Sequence, residues 1–213
     1  MRFQDRRQAG RELAERLRIP WEKGALPDPL VLALPRGGVT VAAEIARELG
    51  APLDVLLVRK IGAPHHAEFG VGALAGDDPP LYDERALDQL GLSEESLAPT
   101  VAREREELRR RERRYRQGRP PPDLRGRTVV VVDDGLATGN TARAALRHVR
   151  RRSPARVVLA VPVAAPDSLR LLAGEADEVV CAHTPPGFCS VGQWYDDFGQ
   201  LTDEDVLNAL YGH

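Results

Sequence analysis

Apolar residues follow two spacings along this chain: short unbroken runs, and longer stretches in which they recur every three or four positions. The clearest run is the four valines at 129–132, which predicts a strand buried on both faces of a parallel sheet. Other runs predict strands over 30–34, 53–59, 69–74, 80–82, 156–163 and 178–181. Helical spacing predicts helices over 5–18, 39–49, 142–152, 167–173 and 203–210. This alternation is typical of an α/β protein with a mainly parallel sheet.

Residues 76–118 break the alternation and predict a helical insertion within a single domain that covers residues 1–213. Ser93 suits the N-cap of a long helix, and the arginines over 105–116 suit its carboxyl end. Because glutamates stand between these arginines, we favour a solvent-exposed face with intrahelical ion pairs. The alternative is a basic surface for nucleic acid or for a partner subunit.

Two adjacent acids, Asp133 and Asp134, follow the valine run directly. Ligands of open α/β sheets bind beyond the carboxyl ends of the strands, where these carboxylates are expected. A loop of small and hydroxylated residues comes next and leads into a predicted helix, whose free N–H groups and dipole favour an anion. This loop consists of Ala137, Thr138, Gly139, Asn140 and Thr141. A phosphate on the loop and a diol on the acids would together describe a ribose 5-phosphate.

Two other predicted strands are followed by candidate anion-binding residues. Arg36, Gly37 and Gly38 follow the strand over 30–34 and lead into a helix, which repeats the pattern of strand, tight turn and helix start. Arg59 and Lys60 end the strand over 53–59, so their positive charges are expected at the same rim of the sheet.

The sequence V-V-V-V-D-D-G-L-A-T-G-N-T at 129–141 resembles the 5-phosphoribosyl 1-pyrophosphate (PRPP) loop of the type I phosphoribosyltransferases. The R-G-G turn at 36–38 is similar to the pyrophosphate loop of the same family. The resemblance implies a Rossmann-like phosphoribosyltransferase fold with a small hood. It also implies Mg²⁺-dependent transfer of a 5-phosphoribosyl group from PRPP to a nitrogen acceptor, such as a nucleobase, with release of pyrophosphate.

The resemblance implies a role for each candidate residue. The loop over 137–141 would hold the 5-phosphate, and Asp133 and Asp134 would hold the ribose hydroxyls or their Mg²⁺. The catalytic residues would be these two acids and Lys60. The pyrophosphate site would consist of Arg36, Gly37, Gly38, Arg59 and Lys60. Homodimers are usual in the family, so a homodimer is also expected.

The carboxyl-terminal residues 183–213 include an aromatic cluster and resemble the family's hood over the acceptor. Phe188, Trp194 and Tyr195 would supply a surface on which a flat ring stacks. The alternative, which we weight equally, is an apolar flap against the core. His65 and His66 lie in the loop after Lys60, and they either close over pyrophosphate or are ordinary solvated side chains.

The composition limits the partners. A net charge of −2 makes nucleic acid an unlikely partner for the molecule as a whole. The absence of a run of roughly 18 apolar residues argues against a membrane span, and two cysteines suit a cytoplasmic protein.

Two functional alternatives remain open. One is a non-catalytic PRPP-sensing or nucleic-acid-binding regulator on the same fold, and the other is a receiver-like phosphoacceptor that uses Asp133 or Asp134.

Overall fold

The computed structural model describes residues 2–64 and 66–212. Its strands are β1 (Pro29–Ala33), β2 (Leu53–Val55), β3 (Val58–Ala63), β4 (His66–Ala75), β5 (Leu81–Tyr82), β6 (Thr128–Val132), β7 (Arg156–Val163) and β8 (Glu178–His183). Its helices are α1 (Arg6–Glu22), α2 (Gly37–Leu49), α3 (Glu84–Leu90), α4 (Glu94–Arg116), α5 (Asn140–Arg150), α6 (Pro166–Leu172) and α7 (Asp203–Tyr211). A 3-10 turn covers Val191–Trp194.

A parallel five-stranded sheet in the order β2–β1–β6–β7–β8 forms the centre of the fold. The valine run forms β6, which pairs with β1 on one side and with β7 on the other. Val130 and Val132 join the apolar core that includes α1 and α2, whereas Val129 and Val131 join the core that includes α5. The prediction of a mainly parallel sheet flanked by helices is therefore confirmed.

The chain leaves the middle of this sheet in two directions. From β1 it continues through α2 to β2 at one edge, and from β6 it continues through α5 to β7 on the opposite side. Because β1 and β6 pair in parallel, with Ala33 opposite Val132, the loops that follow these strands leave the sheet side by side. Such a change of direction creates a crevice in which open α/β sheets bind ligands.

The single strand predicted over 53–59 is wrong, because the structure divides this run between two sheets. β2 ends at Val55, and the chain then enters β3 of a separate antiparallel sheet in the order β3–β4–β5. Leu56 and Leu57, between the two strands, are both 5% exposed, and they belong to different apolar cores. Since the run stays apolar across the break, its hydrophobic pattern carries no sign of the change of sheet.

Residues 76–118 contain β5, α3 and α4. Helix α3 has no counterpart among the helices predicted from the sequence. It begins at the N-cap Asp83, whose carboxylate accepts a hydrogen bond from the N–H of Ala86, and it ends at Gly91 in the left-handed conformation. A helix of seven residues is too short to show a helical period in the sequence.

The arginines of α4 bind groups of their own chain. Arg110 and Arg111 donate to Glu107, and the hydrogen bond from Arg110 is the main cause that lowers the pKa of Glu107 to about 2. Arg116 is only 8% exposed, and it donates to the carboxylate of Asp54, the second residue of β2. Neither α4 nor any other helix of the described chain is both long and apolar enough to cross a membrane.

The amino-terminal residues pair with the segment that follows the 3-10 turn. Phe3 forms a parallel bridge with Tyr195, and its N–H donates to the carbonyl of Trp194 at 2.8 Å. The carbonyl of Phe3 in turn accepts from the N–H of Asp196 at 2.8 Å. This pairing holds the start of α1 beside the carboxyl-terminal segment.

Replacing Leu146, a fully buried residue that packs α5 against the sheet, tests this architecture. We expect Leu146→Ala to lower the free energy of unfolding by about 2–5 kcal/mol, because it removes apolar contacts and leaves a cavity. Urea unfolding followed by circular dichroism measures the change. The matched control is Leu90→Ala in α3, where the leucine is 41% exposed and a change within about 0.5 kcal/mol is expected. Equal effects of the two substitutions would contradict the position of α5.

Candidate active site

The loop after β1 lies directly against the end of β6. A Cβ atom added at Gly37 would be 2.0 Å from the Oδ2 atom of Asp134, and one added at Gly38 would be 2.6 Å from the carbonyl oxygen of Val132. Only residues without a side chain allow the two backbones to approach this closely. Two sequence motifs that lie about one hundred residues apart thus meet at the crevice between β1 and β6.

The side chain of Arg36 is partly exposed at the start of this loop, after a cis peptide bond between Pro35 and Arg36. Its charge acts on Tyr115 of α4, whose pKa is nevertheless raised to about 12 by burial and by the hydrogen bond to Asp203. The next two residues of the loop, Gly37 and Gly38, pack directly against Asp134 and Val132.

The two acids are partly buried next to one another. The Oδ1 atom of Asp133 accepts a hydrogen bond from the N–H of Asp134 at 2.8 Å. Burial raises the pKa of Asp133 well above its usual range, and the neighbouring Asp134 carboxylate raises it further. Burial also raises the pKa of Asp134, although hydrogen bonding and charge from Arg6 oppose this change. An ionised pair at this position needs a cation nearby.

Arg6, the first residue of α1, supplies positive charge at the acids and was missed in the sequence analysis. Its Nε donates to Oδ2 of Asp134 at 2.8 Å, and its side chain is only 10% exposed. The sequence contained a signal, because Arg6 continues the inward stripe of Ala9, Leu13 and Leu17 towards the start of the helix. An inward-facing arginine at a helix end requires an acidic or carbonyl partner.

The loop over 137–141 leads into the amino end of α5. Gly139 is the N-cap residue, in the left-handed conformation with φ of 78°, and no side chain in the described chain caps the helix there. The segment after β7 and helix α6 hold the loop in place. Leu136 forms a bridge with Ala164, and the hydroxyl of Ser168 donates to the carbonyl of Ala137. Thr138 is exposed. Uncapped N–H groups on a fixed loop are a suitable binding site for a phosphate.

A cavity of about 880 Å³ lies between this loop and the antiparallel sheet. Thr138 and Asn140 line it on the side of α5, and Gly72, Ala73 and Tyr82 line it on the side of β4 and β5. The second sheet therefore borders the predicted phosphate loop, although the hydrophobic pattern of its strands does not distinguish it from the central sheet.

Arg59 and Lys60 do not end a strand of the central sheet, contrary to the expectation from the sequence. Both lie in β3, and the guanidinium of Arg59 donates twice to Glu104 of α4, at 2.6 and 2.9 Å. The Lys60 side chain packs on Gly70 of β4, where an added Cβ atom would be 2.5 Å from its Cε. His66 is exposed at the start of β4, and His65 lies outside the described residues.

The aromatic residues of the tail have different surroundings. Tyr195 is 1% exposed, its ring contacts Phe3 and Phe198, and its hydroxyl donates to the carbonyl of Asp134 at 2.6 Å. Burial raises its pKa. The ring of Tyr195 is covered, which favours the apolar-flap alternative for this residue. Phe188 and Trp194 stack on one another with ring centroids 6.5 Å apart, and both are partly exposed.

Comparison with known proteins agrees with this arrangement. Residues 8–190 match the model of the phosphoribosyl transferase domain. The chain belongs to this family. Within the phosphoribosyl transferase family, TT1426 from Thermus thermophilus is a solved relative that is 48% identical, with a TM-score of 0.81 over 99% of this chain and 98% of that one.

Curated members of the phosphoribosyl transferase family also match. "Putative phosphoribosyl transferase Rv0571c" of Mycobacterium tuberculosis strain H37Rv is 44% identical over 208 residues, which are 98% of this chain and 46% of that protein. The chain thus spans less than half the length of this relative. The uracil phosphoribosyltransferase of Aquifex aeolicus is 40% identical over 58 residues, which are 27% of this chain and 28% of that enzyme.

Substituting Gly37 tests the close approach of the two loops. We expect Gly37→Ala to lower the free energy of unfolding by about 1–3 kcal/mol, because the new methyl group would overlap the Asp134 carboxylate. Chemical denaturation measures the effect. Gly199→Ala is the matched control, since its added Cβ would meet only Asp197 Oδ1, at 3.5 Å, and should change stability by about 0.5 kcal/mol or less. A Gly37 variant as stable as the control would contradict the contact.

Proposed function

We propose that the protein transfers the 5-phosphoribosyl group of PRPP to a nitrogen atom of a small acceptor, with Mg²⁺ as cofactor and with release of pyrophosphate. The observation that carries this proposal is the contact of Gly37 and Gly38 with the end of β6, next to the acids and the uncapped start of α5. A pyrophosphate loop, a diol-binding acid pair and a phosphate loop are the three parts that a PRPP site requires. Membership of the phosphoribosyl transferase family supports the same assignment.

The donor would be held at two ends. The 5-phosphate would accept hydrogen bonds from the N–H groups and hydroxyls over 137–141, aided by the dipole of α5. The ribose hydroxyls would donate to the carboxylates of Asp133 and Asp134. The pyrophosphate would meet the backbone of the loop at Gly37 and Gly38, which packs beside the carboxylate of Asp134.

The acid pair fits a magnesium ion that is held mainly by other ligands. No group of three or more His, Cys, Asp or Glu side chains in the described chain could hold a metal. Two adjacent carboxylates suit Mg²⁺, which keeps several waters and takes substrate oxygens as ligands. When bound, the ion would neutralise negative charge on the pyrophosphate oxygens.

The reaction breaks the bond between C1 of the ribose and the pyrophosphate oxygen and forms a bond between C1 and the acceptor nitrogen. The electron pair of the broken bond leaves with the pyrophosphate, and C1 carries positive charge in the transition state. Asp133 and Asp134 would orient the ribose and stabilise this charge, while Arg36 and Lys60 would offset the charge on the leaving group. The acceptor nitrogen loses its proton to solvent or to the departing pyrophosphate.

A nucleobase or a similar flat ring is the acceptor class that we propose. Phe188 and Trp194 are partly exposed and could stack with such a ring. The partial match to a uracil phosphoribosyltransferase supports this class.

We further infer a cytoplasmic location, because Cys181 and Cys189 are both free thiols. The same proposal has two further parts. Residues 183–213 form the hood over the acceptor, and the protein assembles as a homodimer.

Thermal unfolding with Mg²⁺ and PRPP, compared with Mg²⁺ alone and with Mg²⁺ plus ribose 5-phosphate, tests the proposed donor. A ligand at about 100 times its Kd adds about 2.7 kcal/mol, so PRPP should raise Tm by several degrees. The variant Asp133→Asn/Asp134→Asn should lose this shift and all acceptor-dependent pyrophosphate release. It should stay folded, because asparagine keeps an acceptor for Arg6. A normal PRPP shift in the double variant would refute the site, and no shift in the wild type would favour another phosphate ligand.

The only two lysines of the chain provide a test of the pyrophosphate site. We expect Lys60→Ala to weaken the binding of Mg²⁺ and PRPP about tenfold, because a charged contact to the pyrophosphate is lost. Binding of ribose 5-phosphate should change less than about twofold. Lys23→Ala, at the C-cap of α1, is the control and should affect neither ligand. Isothermal titration calorimetry separates the cases, and equal losses for both ligands would exclude a pyrophosphate role for Lys60.

A further inference from the structure

The guanidinium of Arg6 connects the acid pair to the carboxyl-terminal segment. Its Nε donates to Asp134 Oδ2, and its Nη1 donates to the carbonyl of Gly199, each at 2.8 Å. Its Cζ lies 3.9 Å from the centroid of the Phe198 ring, which is a cation–π contact. One side chain of α1 thus contacts both the loop after β6 and the segment after the 3-10 turn.

The two acids differ in how the protein holds them. Asp134 is bound through its side chain by Arg6 and through its carbonyl by the hydroxyl of Tyr195. The Cα atom of Gly37 also packs against its carboxylate. The side-chain hydrogen bond of Asp133 is local, since its Oδ1 accepts the N–H of Asp134, whereas its backbone N–H donates to the carbonyl of Ala160 in β7 at 3.4 Å. Within the proposed ribose-binding pair, Asp134 is therefore the acid whose orientation depends on side chains far away in the sequence.

An adjacent cation also offsets the repulsion between the two carboxylates. Like charges at neighbouring positions in a partly buried site disfavour one another, and a fixed guanidinium whose Nε donates to Asp134 reduces that cost and fixes the orientation of this carboxylate. Other arginines of this chain, such as Arg116, form ion pairs of similar burial at positions that the acid pair does not contact.

We propose that Arg6 is a positioning residue, which holds Asp134 and the loop over 133–139 in the conformation that receives PRPP and which ties that loop to residues 195–199. Its effect on PRPP rests on the proposed function. Its effect on the loop does not, because the contacts of Arg6 are present in the protein without ligand.

Three variants test the proposal. Arg6→Met keeps an apolar stem against Phe198 and removes the charge and both donors. Arg6→Lys keeps the charge, but its single ammonium nitrogen does not reproduce the fixed geometry with which Nε and Nη1 bind Asp134 and Gly199. Arg116→Met is the matched control, because Arg116 is buried to a similar degree and binds Asp54 and the carbonyl of Val55 instead.

Two measurements are made on each variant. Amide hydrogen exchange of the ligand-free protein should become at least about tenfold faster over 133–139 in Arg6→Met than in Arg116→Met, since only the former loses the tie to Asp134. Calorimetry should show Mg²⁺–PRPP binding weakened about tenfold or more in Arg6→Met, recovered to within about threefold of wild type in Arg6→Lys, and unchanged in Arg116→Met.

The outcomes separate the two proposals. If wild type binds PRPP and Arg6→Met behaves as Arg116→Met does in both measurements, the positioning role is refuted. If wild type does not bind PRPP, the proposed function fails, and the exchange rates alone decide whether Arg6 holds the loop. If Arg6→Met does not fold, Arg6→Lys decides. In that variant, faster exchange confined to 133–139 would support the role, and exchange at the wild-type rate over 133–139 would refute it.

Discussion

The backbone contact between the loop after β1 and the end of β6 fixes the geometry of the whole site. Gly37 and Gly38 press against Val132 and Asp134 with no room for a single added carbon atom. This contact exists because β1 and β6 pair in parallel and the chain leaves them in opposite directions. The central sheet therefore determines which groups can face one another, and the loops supply the chemistry. Displacing either loop would separate the proposed pyrophosphate and ribose contacts.

The sequence was most informative where local pattern and tertiary position coincide. Four valines at 129–132 predicted the central strand, since a strand covered on both faces needs no alternation. The order of strand, acids and small-residue loop then located Asp133 and the start of α5 without any knowledge of the rest of the fold. Family membership confirms the resemblance on which the predicted activity rests, while the roles of individual residues remain proposals.

The spacing of apolar and polar residues could not predict contacts between residues that are far apart in the sequence. Leu56 and Leu57 belong to one apolar run but to different cores, so the step from the parallel to the antiparallel sheet left no trace in hydrophobicity. For Tyr195 a stacking surface and an apolar flap were equally weighted, because aromatic composition does not show which face of a ring is covered. Arg6 was overlooked because its partner, Asp134, is 128 residues away, and only the inward stripe of α1 hinted at a buried charge.

The pairing of the two chain ends has a consequence for the order of assembly during synthesis. Arg6 meets Gly199 across 193 residues, and Phe3 meets Trp194 across nearly the same distance. The central sheet can form progressively as its strands emerge, whereas the guanidinium of Arg6 gains its second partner only after Gly199 has been synthesised. A ribosome would therefore have synthesised strands β1 to β8 before Arg6 can complete its contacts with Asp134 and Gly199, so the acid pair reaches its final surroundings after the central sheet can form.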